Sequence, residues 1–138
     1  MTGKVFFDTN VLVYAFASRT RIPPDARAEK AEELLGLGGI ISVQVLNEFA
    51  DVAGRKLRLD WDSIEKGLNA IVLLCGRALP LEVETHSLAV QLSKRYGFRI
   101  YDSLIVAAAE QAGCDTLYSE DLQHGQTIGK VKIVNPFL

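Results

Sequence analysis

Asp8, Glu48, Asp102 and Asp121 are the residues through which this sequence could do chemistry. Asp8 ends the apolar run Val5-Phe6-Phe7, and Glu48 stands three residues after Val45 and four before Val52. Asp102 precedes the apolar stretch 104–109, and Asp121 follows Leu117-Tyr118 after a short step. Several carboxylates in one pocket repel one another, so a site tolerates them only by raising their pKa values or by holding cations. Oxygen donors with no Cys or His nearby in sequence select Mg²⁺ or Mn²⁺ over zinc. Such an ion suits phosphate substrates, because it lowers the pKa of a bound water, clamps a non-bridging oxygen and stabilises a leaving alkoxide. Hydrolysis of a phosphodiester is the chemistry that follows.

Each acid also has an ordinary explanation. Asp8 and Asp102 can cap helices, Glu48 can pair with Arg55 or Lys56, and Asp121 can belong to a solvated turn. The functional reading therefore requires that elements far apart in the chain deliver all of them to one edge.

The elements can be read from pattern. Val5-Phe6-Phe7 is a short strand buried on both faces, with Thr9 and Asn10 opening a helix through the apolar run 11–16. Ile22-Pro23-Pro24 breaks that helix; Asp25 caps the next, whose Ala28, Ala31, Leu34 and Leu35 recur at helical spacing. Gly36, Gly38 and Gly39 lead to a second strand at Ile40-Ile41-Ser42, and Ser42 caps a helix with the stripe Val45, Leu46, Phe49, Val52, Ala53. Glu48 lies along the border of that stripe. Asp60 or Asp62 starts a fourth helix through Ile64, Leu68 and Ile71, with Trp61 as a packing residue. Residues 78–81 form a weak strand limited by Pro80, and a helix from about 85 to 96 stops at Gly97. Asp102 and Ser103 open a central helix, residues 115–118 form a strand, and Val131-Lys132-Ile133-Val134 forms the last one. Strands alternating with helices predict an α/β fold with a mostly parallel central sheet flanked by helices.

Totals narrow the class. At 138 residues the chain fits a single domain over 1–138. Lys plus Arg total 15 against 17 Asp plus Glu, a formal charge of -2, so no overall basic field marks a nucleic-acid binder. Cys75 and Cys114 stand apart without a Cys/His cluster, which argues against a zinc site or a disulfide framework and for a reducing, cytoplasmic setting. No apolar run approaches the roughly 18 residues that span a bilayer, and no export signal is evident.

Asp8-Thr9-Asn10, Asn47-Glu48, Tyr101-Asp102-Ser103 and the segment Ser119-Glu120-Asp121-Leu122-Gln123-His124-Gly125 resemble the motifs of PIN-domain ribonucleases, specifically the VapC-type toxins of toxin-antitoxin pairs. The resemblance covers nearly the whole chain, including Ile133-Val134-Asn135-Pro136. It implies a three-layer α/β/α fold, Mg²⁺- or Mn²⁺-dependent cleavage of RNA, a homodimer, and neutralisation by a small cognate antitoxin. Carried over by position, it makes Asp8, Glu48, Asp102 and Asp121 the acidic quartet, with Asn10 and Ser119 as supporting polar residues. Between the adjacent Glu120 and Asp121, Asp121 is favoured and the choice stays open.

His124 beside Gly125 reads as loop and His86 as a helix-face residue, rather than as ligands or proton shuttles. Arg19, Arg21, Arg55, Lys56, Arg58, Lys94, Arg95 and Arg99 are ordinary surface cations of which some should border the pocket and meet phosphate. Phe137 and Leu138, if exposed, serve an interface rather than the core. Two rivals remain: another Mg²⁺-binding domain, either a phosphohydrolase, disfavoured because no second acid stands two residues after Asp8, or a receiver-like domain; and a non-catalytic scaffold whose acidic pocket receives a basic partner segment.

Overall fold

The computed structural model describes residues 3–16, 25–76 and 78–138. The break at Pro23-Pro24 and the cations Arg19 and Arg21 lie outside the described residues. In chain order the elements are β1 (Val5–Phe7), α1 (Thr9–Phe16), α2 (Ala26–Gly36), α3 (Val43–Arg55), α4 (Trp61–Cys75), α5 (Val83–Tyr96), α6 (Ile100–Gln111), β2 (Thr116–Tyr118), β3 (Thr127–Ile128) and β4 (Val131–Val134). The sheet runs β1-β2-β4-β3, with β1, β2 and β4 parallel. This is the α/β architecture that the alternating pattern predicts.

Phe6 and Phe7 point to opposite faces of β1 and both are fully buried, so both faces of that strand are covered. Leu117 on β2 and Ile133 on β4 continue the buried row, and Lys132 stands exposed between the buried Val131 and Ile133. Helix α6 packs on β2, β4, α3 and α5, and α1 packs on α2 and α3. Residues 103–109 of α6 are all buried, as its unbroken apolar run predicts.

Where the structure departs from the sequence pattern, backbone pairing explains the difference. Residues 40–42 do not make a strand: Ile40 bridges Phe6 on one side and Ser42 bridges Leu79 on the other. The expected strand at 78–81 is that single bridge, because Pro80 has no N–H to extend it. Strand β3 was not expected at all. It pairs antiparallel with β4 across a tight turn in which Gly129 takes a φ of 59°, a conformation that suits glycine.

The caps are largely as the pattern predicts. Asp25, Ser42 and Asp60 accept hydrogen bonds from the backbone N–H of Arg27, Val45 and Ser63. Trp61 is a correction. It is 74% exposed at the first residue of α4, ahead of the Ile64 and Ile71 positions through which that helix is buried. Both cysteines are free, and among the described residues no helix is long and apolar enough to cross a membrane.

Candidate active site

Parallel pairing of β1 with β2 places the residues after the two strands side by side. The Asp8 N–H bonds to the Tyr118 carbonyl at 3.0 Å, and the Ser119 N–H bonds to the Val134 carbonyl at 3.0 Å. Asp8 and Ser119 thus share the carboxyl edge of the sheet, the edge where α/β folds bind ligands. Both are buried. The Ser119 hydroxyl donates to Asp8 Oδ2 at 2.7 Å, and the Thr9 N–H donates to Asp8 Oδ1 at 2.6 Å.

The other acids reach this point by different routes. Glu48, on α3, accepts from the Thr9 hydroxyl at 2.8 Å through Oε2 and from Gln44 Nε2 at 3.2 Å through Oε1. Asp121 accepts from Asn10 Nδ2 at 3.2 Å, and the same amide nitrogen stands 3.5 Å from Asp8 Oδ2. Asn10 Oδ1 accepts from the Glu120 N–H at 3.2 Å, which ties α1 to the loop after β2. Asp102 lies in the first turn of α6, but it does not cap the helix. Arg99 occupies the cap position, and its Nε stands 3.5 Å from Asp102 Oδ2.

Glu48, Asp102, Glu120 and Asp121 line one cleft of about 660 Å³, with Thr9 and Asn10 on its wall next to the buried Asp8. Of the four acids, Asp8, Glu48 and Asp121 are tied together through Ser119, Thr9 and Asn10, and Asp102 lines the same cleft from α6. The neighbouring Glu120 is turned to other partners, Tyr14 at 2.5 Å and Arg27 at 2.8 Å. Arg55, Lys56 and Arg99 also line the cleft, whereas Arg58, Lys94 and Arg95 do not. Arg55 pairs with Asp51 at 2.7 Å and not with Glu48. His124 accepts the Asn135 N–H through Nδ1 at 2.9 Å, as befits a loop residue, and His86 is exposed on α5. Phe137 packs edge-on against Tyr14, and Leu138 is exposed.

Two bonds at the site carry no sequence signal of their own. Thr9 reaches Glu48 across 39 positions, and Tyr14 reaches Glu120 across 106. A faint sign existed only for Gln44, which stands four residues before Glu48 on one helix face.

Electrostatics follow from this crowding. Burial pushes the Asp8 carboxyl up to about 7; hydrogen bonds from Ser119 and Thr9 oppose the shift, and the charges of Glu48 and Asp121 add to it. A cation at the cleft would relieve that cost. The wall offers carboxylate and amide oxygens and no His or Cys. Among the described residues no three Asp, Glu, His or Cys side chains are grouped tightly enough to hold an ion by themselves. An all-oxygen wall is of the kind that suits a hard divalent ion and not the thiolate and imidazole shell of structural zinc.

The structure is similar to a toxin-antitoxin complex from Klebsiella pneumoniae, with TM-score 0.70 and 20% identity over 96% of this chain and 98% of that one. It is similar also to VapC20 of Mycobacterium tuberculosis, a sarcin-ricin loop cleaving toxin, with TM-score 0.66 and 18% identity over 86% of this chain and 90% of that one. VapBC2 from Rickettsia felis, solved with a DNA fragment from its promoter, gives TM-score 0.64 and 18% identity over 94% of this chain and 96% of that one. At these identities the likeness is one of fold. No curated protein matches the chain. The PIN domain family model matches residues 5–128, nearly the full length of the sequence, and the chain therefore belongs to the PIN domain family.

Proposed function

We propose that the protein is a Mg²⁺- or Mn²⁺-dependent endoribonuclease and the toxin of a toxin-antitoxin pair, acting in the cytoplasm as a homodimer. The observation that carries this reading is the hydrogen-bonded set Asp8, Glu48 and Asp121 at one sheet edge, with Asp102 on the same cleft. The toxins among the structural neighbours, one of them a sarcin-ricin loop cleaving toxin, support it.

A bound divalent ion would supply three things: charge to the non-bridging phosphate oxygen, acidity to an attacking water, and stabilisation of the leaving oxygen. The chain's own residues would hold and orient. Glu48, Asp102 and Asp121 on the cleft wall and the buried Asp8 beside it would together hold the ion. Thr9 and Gln44 occupy both oxygens of Glu48, and Asn10 links Asp121 to Asp8, so these carboxylates are set before substrate arrives. Arg55, Lys56 and Arg99 on the wall would offset the repulsion between an acidic cleft and a polyanion.

A small antitoxin fits the same chemistry. Asp102 already receives a guanidinium from Arg99, so an arginine entering from a partner would find a matching carboxylate and exclude the ion. The deciding experiment is cleavage-site mapping on total RNA with Mg²⁺ or Mn²⁺. Cleavage is expected from the native chain and not from Asp8→Asn or Asp102→Asn, and unchanged cleavage by both variants would remove the proposal. Metal binding without cleavage would favour the scaffold reading instead.

A further inference from the structure

Glu120 stands next to Asp121 on the cleft wall, yet both of its oxygens are committed elsewhere. Oε2 accepts the Tyr14 hydroxyl hydrogen at 2.5 Å, and Oε1 accepts from the Arg27 guanidinium at 2.8 Å. Arg27 is fixed in turn: it reaches both oxygens of Asp25 at 3.0 Å, and its guanidinium carbon lies 4.3 Å from the centre of the Tyr14 ring. Tyr14 meets Phe137 edge-on, with ring centres 5.0 Å apart. The Phe137 N–H donates to Asn135 Oδ1 at 2.9 Å, so that ring is also held. One carboxylate thus joins α1, the start of α2, the loop after β2 and the segment after β4.

This geometry matters for the acid beside it. A free carboxylate one residue from Asp121 would repel it and compete for the same cation. Arg27, which Glu120 shares with Asp25, offsets part of that charge, and Tyr14 fixes its direction. We infer that Tyr14 and Arg27, buttressed by Phe137, are positioning residues: they hold Glu120 to their own side and offset part of its charge so that, of the two adjacent acids, Asp121 alone is presented to a cation in the cleft. The inference rests on the metal-dependent reading above and goes beyond it in naming what selects between the two acids.

The test is Mn²⁺ binding to the full chain by calorimetry, alongside kcat and KM on RNA. Tyr14→Phe keeps the ring, its contact with Phe137 and its stack with Arg27, and removes one hydroxyl. It is expected to weaken Mn²⁺ binding about tenfold and to lower kcat with KM for RNA unchanged, on the scale of other outer-shell partners of metal sites. Arg27→Met should do the same by freeing Glu120, and adding Glu120→Gln to Arg27→Met should restore Mn²⁺ affinity to within about threefold of the native chain, because the amide neither repels Asp121 nor competes for the ion. A purely structural role would lower the thermal midpoint without this rescue. Mn²⁺ affinity unchanged in Tyr14→Phe, or a loss in Arg27→Met that Glu120→Gln leaves in place, would overturn the inference. If Arg27→Met does not fold, Tyr14→Phe decides alone, its loss of affinity supporting the inference and its lack of effect overturning it. Asp8→Asn separates the two levels: Mn²⁺ binding that survives it sinks the metal-dependent reading itself, whereas binding lost in Asp8→Asn but unmoved in Tyr14→Phe sinks the positioning role only.

Discussion

The hydroxyl of Ser119 donates to Asp8 Oδ2 at 2.7 Å, while its oxygen accepts from the backbone N–H of Asp121 at 3.2 Å and of Leu122 at 3.3 Å. One small buried side chain therefore fixes the acid after β1 and shapes the turn that carries Asp121. Its donation also favours the charged form of Asp8, against the effect of burial. Ser119→Ala removes all three bonds and adds no bulk. The expected result is a loss of about 1–3 kcal/mol in stability and a 10- to 100-fold loss in activity. In addition, the acid limb of the kcat/KM profile should move to higher pH, since Asp8 loses a donor that holds its pKa down. A pH profile and a denaturant titration of the same variant check all three.

Asp8 also makes stability depend on pH. Its folded value of about 7 lies above its ordinary 3.8, so between roughly pH 4 and 7 the native state keeps a proton that the unfolded chain has released. The contribution of Asp8 is fully present below pH 4 and is lost as pH rises through 7. In chelator, Asp8→Asn should therefore gain on the native chain as pH rises and be the more stable of the two at pH 8, by a few kcal/mol at most. Adding Mn²⁺ should raise the native midpoint and leave that of Asp8→Asn in place. Thermal melts from pH 4.5 to 8, with and without metal, read both effects; parallel curves for the two proteins in chelator would contradict the buried, protonated Asp8.

The position of Asp8 and Asp121 was legible in the chain because each is punctuation. Asp8 ends the doubly buried β1, and the loop of Asp121 follows β2 in the same apolar-then-polar order, so parallel pairing brings the two together. Glu48 was placed by the edge of a helical stripe. Asp102 reads from the sequence as opening its helix, whereas Arg99 takes the cap position and Asp102 lies within the first turn of α6. What periodicity does not encode is which rotamer reaches across the fold. The bonds from Thr9 to Glu48 and from Tyr14 to Glu120 join residues 39 and 106 positions apart, and no local pattern marks them. The same limit hid β3, whose two residues are too short to show alternation. It also made a strand of 40–42, where the half-buried Ile40 and the buried Ile41 and Ser42 support only single bridges.

Thr9→Val tests one of those hidden links. Valine keeps the shape of threonine and the N–H that holds Asp8, but removes the donor to Glu48 Oε2. Glu48 then retains only Gln44 at 3.2 Å and is free to swing. Activity should fall about tenfold, and Thr9→Ser should recover most of it because the hydroxyl returns. The thermal midpoint should move little, since Thr9 lies at the edge of the core and one partly buried hydrogen bond contributes about 1 kcal/mol. Equal activity in Thr9→Val and the native chain would show that Glu48 needs no orienting.

The rim cations should differ among themselves in a way that their charges alone do not predict. Arg55 is held by Asp51 at 2.7 Å, so a phosphate must compete with an existing partner for it. Arg99 is 84% exposed and stands 3.5 Å from Asp102, a contact of the kind worth little in water. Lys56 lines the cleft as well and carries a point charge on a long stem. Binding of RNA is best measured in the Asp8→Asn background, where cleavage is removed and affinity can be followed against salt. Arg99→Gln and Lys56→Gln should each weaken binding at low salt and reduce the slope of log K against log salt by about 0.7 to 1. Arg55→Gln should change the salt slope less, because a guanidinium held by Asp51 is less free to neutralise a phosphate. If all three substitutions act alike, Asp51 does not hold Arg55 back; if none changes the salt slope, the RNA approaches the acids from another side of the cleft.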